Sequence, residues 1–381
     1  MNLPVSTAVR LKQLDSIRGI AALVVLFGHY IQVVPEALRQ LSGFPGGAFN
    51  LEAWTTPWPW LRFTPLRLIV DGHAAVIVFF LLSGFVLALP VTKDRQPEFF
   101  PFIIKRICRI FVPFVSVTLL IILLYKIFPI STRGEVSNWF NSYIPNWEAV
   151  SISDHLFMTG NDISLNPVMW SLLHEMRMSF VLLLIFWLMR RYGSLRIVGF
   201  SLVFSFISSF FTSHSDNGTS WQATSHFFWL FPAGAAVAYH RVGIQRFVGS
   251  FSNRVKLALW VISLGLLAIP FDRNWCDFLI GAGAILLIVL ALVPGTVASL
   301  LSTGVPVWLG KISYSLYLVH WPILFIVVSY SLMPLWMAFL LTLIIAELSY
   351  RFIEKPSHKL GIFLESKIYY FMHLRGLLRP K

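Results

Sequence analysis

The chain has 381 residues, of which 57% are hydrophobic and only 12% are charged. A soluble domain carries about 25% charged residues, so the composition excludes that class and indicates a polytopic membrane protein. The net charge of +13 does not indicate a nucleic-acid partner, because 23 of the 30 lysines and arginines lie in the terminal segments and in alternate loops. This asymmetry follows the positive-inside rule and predicts that both termini are cytoplasmic.

Ten apolar segments have close to the ~20 residues that a helix needs to cross a bilayer. They lie at roughly 16–35, 66–90, 110–130, 167–189, 196–212, 222–240, 257–271, 277–294, 312–331 and 335–353. The predicted fold class is therefore all-α, a polytopic transmembrane helical bundle with about ten spans. We predict a membrane domain at 1–356 and a basic cytoplasmic tail at 357–381 that lies on the anionic lipid surface.

The first span contains Arg18 and His29, two side chains that a lipid-facing helix does not favour. Eleven positions at about 100° per residue bring both side chains to one helix face, ~16 Å apart along the axis. Arg18 would lie near the cytoplasmic surface and His29 about halfway through the hydrocarbon. Ionisable groups at that depth cost several kcal/mol unless they face a partner or water, so they predict a functional site. The alternative is a structural histidine that hydrogen-bonds a neighbouring helix.

The first outer loop, at 36–65, contains three tryptophans, Trp54, Trp58 and Trp60. Tryptophans stack on sugar rings, but they more often form an interfacial belt, and the belt is the favoured interpretation here. The second span begins near His73, which either lines the outer vestibule or is a hydrogen-bonded interfacial histidine.

The third span begins at the cytoplasmic surface with Arg106 and Arg109, which are three positions apart and so neighbours on one helix face. Two guanidinium groups suit a phosphate, which they bind bidentately. Anchoring of the span end is the alternative and is favoured for an isolated arginine pair. The two cysteines, Cys108 and Cys276, lie at opposite faces in this topology, so we predict neither a disulfide framework nor a cysteine metal site.

The fourth span concentrates polar side chains on an apolar helix: Ser171, His174, Glu175 and Arg177. Glu175 would lie ~12 Å below the outer surface and His29 ~18 Å above the inner one, in a hydrocarbon core ~30 Å thick. The two residues are therefore predicted at the same depth, where the carboxylate orients the imidazole. The alternative is a buried pairing of Glu175 with His174 or Arg177 that has no catalytic role.

The last two spans contain the remaining candidates. Tyr317 and His320 are three positions apart in the ninth span and are predicted to share a face of the cavity. Glu354 ends the tenth span near Arg351 and Lys355, where a structural ion pair is the favoured interpretation.

These motifs resemble the acyltransferase-3 family of integral membrane O-acyltransferases. Its signature is an arginine followed after ten residues by a histidine, as in Arg18 and His29. The other motifs occur in the family's order: FFLLSGF at 79–85, the RICR arginine pair followed by Pro113, WSLLHE at 170–175, SYSLYLVHWP at 313–322 and SYRFIEKP at 349–356. DGHAAV at 71–76 departs from the usual glycine-rich version. The chain ends soon after its tenth span, so it resembles the stand-alone type without an appended hydrolase-like domain.

The resemblance implies transfer of an acyl group, most often acetyl, from cytoplasmic acyl-CoA to a hydroxyl. The implied acceptor is a cell-surface or exported glycan or a lipid-linked saccharide. Acetyl-CoA is then a co-substrate, and neither a permanently bound cofactor nor a metal is implied. The implied location is the bacterial cytoplasmic (inner) membrane, in contact with its lipids.

The resemblance also implies roles for the candidate residues. His29 and Glu175 are catalytic, with His29 acting as a general base or carrying the acyl group itself. The residues that hold the CoA phosphates are Arg18, Arg106 and Arg109. Those that bind substrate are His73, Trp170, Ser171, Tyr317 and His320.

A transporter or flippase for a glycan or small molecule is the alternative from another functional class, since it also places ionisable residues at mid-membrane. The sequence shows no internal repeat of the kind common in transporters. The cytoplasmic arginines beneath a lone histidine also favour the acyltransferase. A membrane-embedded interaction or regulatory protein is the third alternative, and it leaves the buried charges unexplained.

Overall fold

The computed structural model describes residues 11–35, 55–91, 98–131, 135–211, 218–270 and 274–374. Every regular element within these ranges is a helix, which confirms the all-α prediction. The α-helices are α1 (Lys12–Gln32), α2 (Pro57–Phe63), α3 (Gly72–Ala88), α4 (Phe99–Arg106), α5 (Val112–Ile127), α6 (Asn138–Asn141), α7 (Ile152–Phe157), α8 (Met169–Tyr192), α9 (Ser194–Ser209), α10 (Trp221–Phe227), α11 (Leu230–Gly249), α12 (Asn253–Leu267), α13 (Cys276–Leu292), α14 (Thr296–Leu301), α15 (Gly304–Tyr330), α16 (Leu335–Ser349) and α17 (Lys355–Leu374).

Within the described ranges, five helical segments are long and apolar enough to cross a membrane. They are Lys12–Gln32, Phe99–Ile127, Met169–Tyr192, Gly304–Tyr330 and Leu335–Met372. Helices α3, α9 and α13 are also apolar but shorter. The two remaining predicted spans fall on α10 with α11 and on α12. The chain is thus an integral membrane protein by its helices, while the count of ten spans and the cytoplasmic location of both termini stay predictions.

Helix α1 packs against α15 and α3 inside the bundle. The contact with α15 is close, because a Cβ atom on Gly19 would lie 2.5 Å from the backbone nitrogen of Gly310. Helices α3 and α11 approach in the same way, since a Cβ atom on Gly84 would clash with the carbonyl oxygen of Phe231. Small residues at such contacts let membrane helices pack backbone to backbone. These contacts fix α1 relative to α15, and both helices carry candidate site residues.

Two long helices are each interrupted by a π-helical turn. One turn, Ile107–Phe111, joins α4 to α5, and the other, Tyr350–Glu354, joins α16 to α17. Such turns are rare and are frequent at functional sites. Arg109 lies in the first turn and Glu354 ends the second, with Nη1 of the arginine 3.5 Å from Oε1 of the glutamate. The two turns therefore face each other across an ion pair.

The segment predicted as a cytoplasmic tail continues the last helix without a break at residue 356, as far as Leu374. It packs against α4, where Lys105 Nζ lies 2.8 Å from Glu365 Oε2. Residues 375–381 lie outside the described ranges. The division into a membrane domain and a tail stays a prediction.

Candidate active site

Two histidines from distant parts of the chain form the centre of the candidate active site. His29 lies in the last turn of α1, and His320 lies in α15, where it is fully buried. The His29 Nδ1 atom is 2.8 Å from Nε2 of His320, and the two rings stack with centroids 5.1 Å apart. The structure therefore pairs two residues to which the sequence analysis gave separate roles.

The hydrogen bonds of this pair determine where its protons lie. His320 Nδ1 is 3.1 Å from the carbonyl oxygen of Leu316, and a carbonyl only accepts, so this nitrogen carries a proton. In a neutral ring Nε2 of His320 is then an acceptor, and His29 Nδ1 donates to it. The Nε2 atom of His29 is left with its lone pair, which is the arrangement that a general base needs.

Tyr317 and Ser171 adjoin the histidine pair. The Tyr317 ring lies 5.8 Å from the ring of His320, which confirms that these two residues share a face of α15. The Tyr317 hydroxyl is 2.7 Å from Ser171 Oγ on α8. Three of the predicted substrate-binding residues are therefore neighbours, although their contact with substrate stays a prediction.

A proline breaks the hydrogen bonding of α15 next to His320. Pro322 has no N–H, so the carbonyl of Leu318 lacks its helical donor. The buried side chain of Asn166 replaces that donor, with Nδ2 3.2 Å from the Leu318 oxygen. Asn166 was not predicted from the sequence, where the proline within the span was the only signal for such a donor. Asn166 holds the turn of α15 that carries His320.

Aromatic side chains enclose the His29 ring. The rings of Trp139 and Trp321 each have their centroid 5.6 Å from that of His29. Trp321 is fully buried, whereas Trp139 is partly exposed and belongs to the short helix α6. Neither residue was predicted from the sequence. Trp321 directly follows His320, but nothing in the loop pattern distinguished Trp139 from the other tryptophans.

Glu175 does not orient His29, so that prediction is wrong. Its Oε1 atom accepts hydrogen bonds from Arg106 Nη2 and Ser83 Oγ, each 2.8 Å away. Arg106 also donates from Nε to Ser179 Oγ at 3.0 Å. A carboxylate buried among helices needs a charged partner, and Arg106 supplies one. Equal depth in the membrane did not imply contact with the imidazole.

The other polar residues of α8 are held by the segment before α11. His174 bonds to Thr224 Oγ1 at 2.8 Å and to the carbonyl oxygen of Gly218 at 2.6 Å. The partner of Glu175 is Arg106, and neither His174 nor Arg177 takes that place. Arg177 donates to the Thr219 carbonyl at 2.7 Å. The Trp170 ring packs edge-on against His174, 5.9 Å away, and so lies in this structural group. A role of Trp170 in substrate binding stays a prediction.

The three predicted phosphate-binding arginines lie around two carboxylates. The charge of Arg18 interacts with those of Arg109, Glu175, Asp15 and Glu354. Its Nε atom is buried with no hydrogen-bond partner among the described residues. Arg106 is bound to Glu175. The cluster therefore contains one guanidinium group, that of Arg106, hydrogen-bonded to its carboxylate, and a longer ion pair between Arg109 and Glu354 at 3.5 Å.

Glu354 makes the structural ion pair that the sequence predicted, but with a different residue. It pairs with Arg109, and its Oε2 atom accepts from Ser315 Oγ at 2.8 Å. Arg351, the neighbour suggested by sequence, pairs instead with Glu347 at 2.5 Å. The π-helical turn places Glu354 towards α15 and Arg351 on the exposed side.

His73 lies in a second group, formed with Asp277 and His226. Its Nε2 atom is 2.6 Å from Asp277 Oδ1, and His226 Nε2 is 2.8 Å from Asp277 Oδ2. Asp277 and His226 are both 2% exposed. The structure therefore does not place His73 with the His29–His320 pair, and its binding of substrate stays a prediction.

The remaining candidates add no metal site. Among the described residues, no group of three or more His, Cys, Asp or Glu side chains has the geometry to hold a metal ion. Cys108 and Cys276 are free thiols. Trp60 is 49% exposed at the surface of α2, and its place in an interfacial belt stays a prediction. Trp54 lies outside the described residues.

Comparisons with known proteins agree with the sequence motifs. The acyltransferase-3 family, described as "Acyltransferase domain", matches residues 11–349. Peptidoglycan O-acetyltransferase OatA of Listeria monocytogenes is 26% identical over 327 residues, which are 76% of this chain and 52% of that protein. O-acetyltransferase OatA of Staphylococcus aureus is 25% identical over 327 residues, 76% of this chain and 53% of that protein.

A shorter match joins the chain to a protein of Staphylococcus aureus (strain COL) that is provisionally named an O-acetyltransferase. The two are 38% identical over 126 residues, which are 30% of this chain and 20% of that protein. The chain thus spans about half the length of the OatA relatives and a fifth of this one. No solved structure matches it. The family match includes the histidine pair, Glu175 and the arginine cluster, and the chain belongs to the acyltransferase-3 family.

Proposed function

We propose that the protein is an integral membrane O-acetyltransferase that moves an acetyl or other short acyl group from acyl-CoA to a hydroxyl of an exported or cell-surface glycan. The observation that carries this proposal is the His29–His320 hydrogen bond, which leaves Nε2 of His29 as a base. Family membership supports acyl transfer. The relative named peptidoglycan O-acetyltransferase supports a glycan as the acceptor.

A sugar hydroxyl is a weak nucleophile, so its attack needs a base that removes the proton as the new bond forms. His29 Nε2 takes this proton while the hydroxyl oxygen attacks the thioester carbonyl carbon. The tetrahedral intermediate then breaks its C–S bond, the ester stays on the sugar, and the CoA thiolate recovers the proton from His29. His320 accepts the hydrogen bond from His29 Nδ1 throughout and holds the ring in the required tautomer.

The arginine cluster is the proposed site for the phosphates of acyl-CoA. Guanidinium groups bind phosphate bidentately and stay charged. Arg18 lies on the same helix as His29, ~16 Å away at the rise of eleven helical residues. A donor bound by its phosphates at Arg18 therefore needs an extended arm to bring its thioester to His29, and the pantetheine arm of CoA is extended.

The proposed location is the bacterial cytoplasmic membrane, with acyl-CoA reaching the site from the cytoplasm and the glycan from the opposite side. The distribution of lysines and arginines supports this orientation. The same lone pair of His29 could also attack the thioester itself and carry the acyl group to the glycan. Labelled acetyl that stays on the protein without acceptor would indicate this two-step route, and its absence would indicate direct transfer.

Acetyl transfer by the purified full chain in detergent tests the proposed function. We expect labelled acetyl-CoA to be consumed by the unchanged protein, and His29→Ala to lower the rate at least about 100-fold, because a general base contributes 10²–10⁴-fold. His240→Ala is the matched control, since His240 is exposed and its Nε2 atom contacts only Ser194 Oγ, 2.7 Å away, among the described hydrogen bonds. A His29→Ala variant with the normal rate would contradict the proposal, as would an unchanged protein that transports a sugar without consuming acetyl-CoA.

A further inference from the structure

A short helix in the loop between α5 and α8 places an aromatic side chain directly beside His29. Trp139, in α6, has its ring 5.6 Å from the imidazole and tilted 37° to it. The ring of Tyr143 lies 5.4 Å from that of Trp139, with the two planes 75° apart. Two flat rings that are nearly perpendicular form a corner, and His29 adjoins one side of it.

This corner is held in place by buried contacts. The backbone N–H of Ser137 donates to the carbonyl of Val33 at 3.0 Å, which ties the loop to the end of α1. Phe140 is 2% exposed and packs against Phe325, with ring centroids 4.7 Å apart. Trp139 also meets the buried ring of Trp321 edge-on at 5.3 Å. The loop therefore has a fixed position over the histidine pair.

Trp139 and Tyr143 differ from the residues beneath them because both are partly exposed. Trp321 and Phe140 form the buried floor of the cluster. Tryptophan and tyrosine offer a large apolar face together with a polar edge, and such rings are favoured where one side of a site is apolar and the other is wet. A pyranose ring has the matching surfaces, since its C–H groups present an apolar face and its hydroxyls project from the rim.

We propose that Trp139 and Tyr143 form the platform on which a pyranose ring of the acceptor stacks, so that one of its hydroxyls points at His29 Nε2. This inference rests on the proposed function and adds the chemical class that the acceptor subsite selects: a ring sugar rather than an open-chain alcohol. It also transfers the sugar-stacking role from the tryptophans of the first outer loop to Trp139. Trp60, on α2, is 49% exposed and is the comparison residue.

The test compares two alcohols as acceptors for the purified full chain in detergent with labelled acetyl-CoA. One is a ring sugar, from a panel of methyl β-glucoside, methyl β-galactoside and methyl N-acetyl-β-glucosaminide, and the other is glycerol. We expect the unchanged protein to prefer at least one pyranoside over glycerol by about tenfold in kcat/KM, or about 1.4 kcal/mol. The ratio of kcat/KM for the pyranoside to that for glycerol, taken within each variant, does not depend on how much of the protein is folded.

Trp139→Leu keeps apolar bulk but removes the flat face, so we expect it to abolish the preference through a higher KM for the pyranoside. Trp139→Phe keeps a smaller flat face, so we expect this variant to retain part of the preference for the pyranoside. Trp60→Leu should leave the preference unchanged. Equal preference in Trp139→Leu and the unchanged protein overturns the inference.

Acetyl-CoA hydrolysis without acceptor separates this inference from the proposed function. Hydrolysis by the unchanged protein together with no preference for any pyranoside overturns the platform alone. Failure to consume acetyl-CoA under any condition overturns both.

Discussion

The His29–His320 pair and the His73–Asp277–His226 group are both built from histidines joined at short distances, yet their hydrogen bonding differs. In the second group the Asp277 carboxylate accepts from an imidazole on each side, at 2.6 and 2.8 Å. Both Nε2 protons are therefore used in holding α3, α10 and α13 together. In the pair, the carbonyl of Leu316 accepts from His320 Nδ1, and His320 Nε2 accepts from His29 Nδ1. The Nε2 atom of His29 therefore keeps its lone pair.

We infer from this difference that the hydrogen-bond partner of a histidine determines which chemistry is open to it. A carboxylate between two imidazoles neutralises charge and joins helices. A second imidazole acts as a neutral acceptor and leaves its partner free to take a proton. The His73–Asp277–His226 group is thus suited to a structural role and the His29–His320 pair to catalysis.

The largest effect that tests this comparison is the loss of stability expected when Asp277 is replaced. Asp277→Asn removes the charge and replaces one of the two acceptor oxygens with an NH2 donor, so one imidazole meets a donor in place of its acceptor. We expect a loss of about 3 kcal/mol of stability. Thermal unfolding in detergent measures this loss. Acetyl transfer by the fraction that remains folded should stay within about threefold of normal. A loss of transfer above about 100-fold with normal stability would reverse the roles of the two groups.

A smaller effect is expected from Arg18, which shares α1 with His29 and belongs to the proposed donor site. Arg18→Gln removes a charge that phosphates need, so we expect the KM for acetyl-CoA to rise about tenfold, or about 1.4 kcal/mol, with a smaller change in kcat. Arg196→Gln is the control, since Arg196 is exposed at the start of α9. Equal KM values for Arg18→Gln and the control would remove Arg18 from the donor site.

The sequence was sufficient for features that depend on local spacing. Apolar segments predicted the helices, and the eleven-residue step from Arg18 to His29 placed both on α1. The three-residue step likewise placed Tyr317 and His320 on one face of α15, as their ring contact confirms. These features follow from helix geometry alone.

Features that depend on the packing of distant helices were not available from the sequence. His29 and His320 are 291 positions apart, so their pairing has no local signal. Depth alone suggested Glu175 as the partner of His29, but the direction of each helix face decides contact, and Glu175 faces Arg106. Trp139 lies in a loop without periodicity. Its position depends on the burial of Phe140 between helices.

The rates of three variants test the central claim most directly: His29→Ala, His320→Ala and the double variant. If His320 acts by holding His29 in the basic tautomer, His29→Ala lowers kcat at least about 100-fold and His320→Ala lowers it less. The double variant is then no slower than His29→Ala, because residues that act as a unit are not additive. A double variant whose loss equals the product of the two single losses would contradict the account, because the two histidines would then act independently.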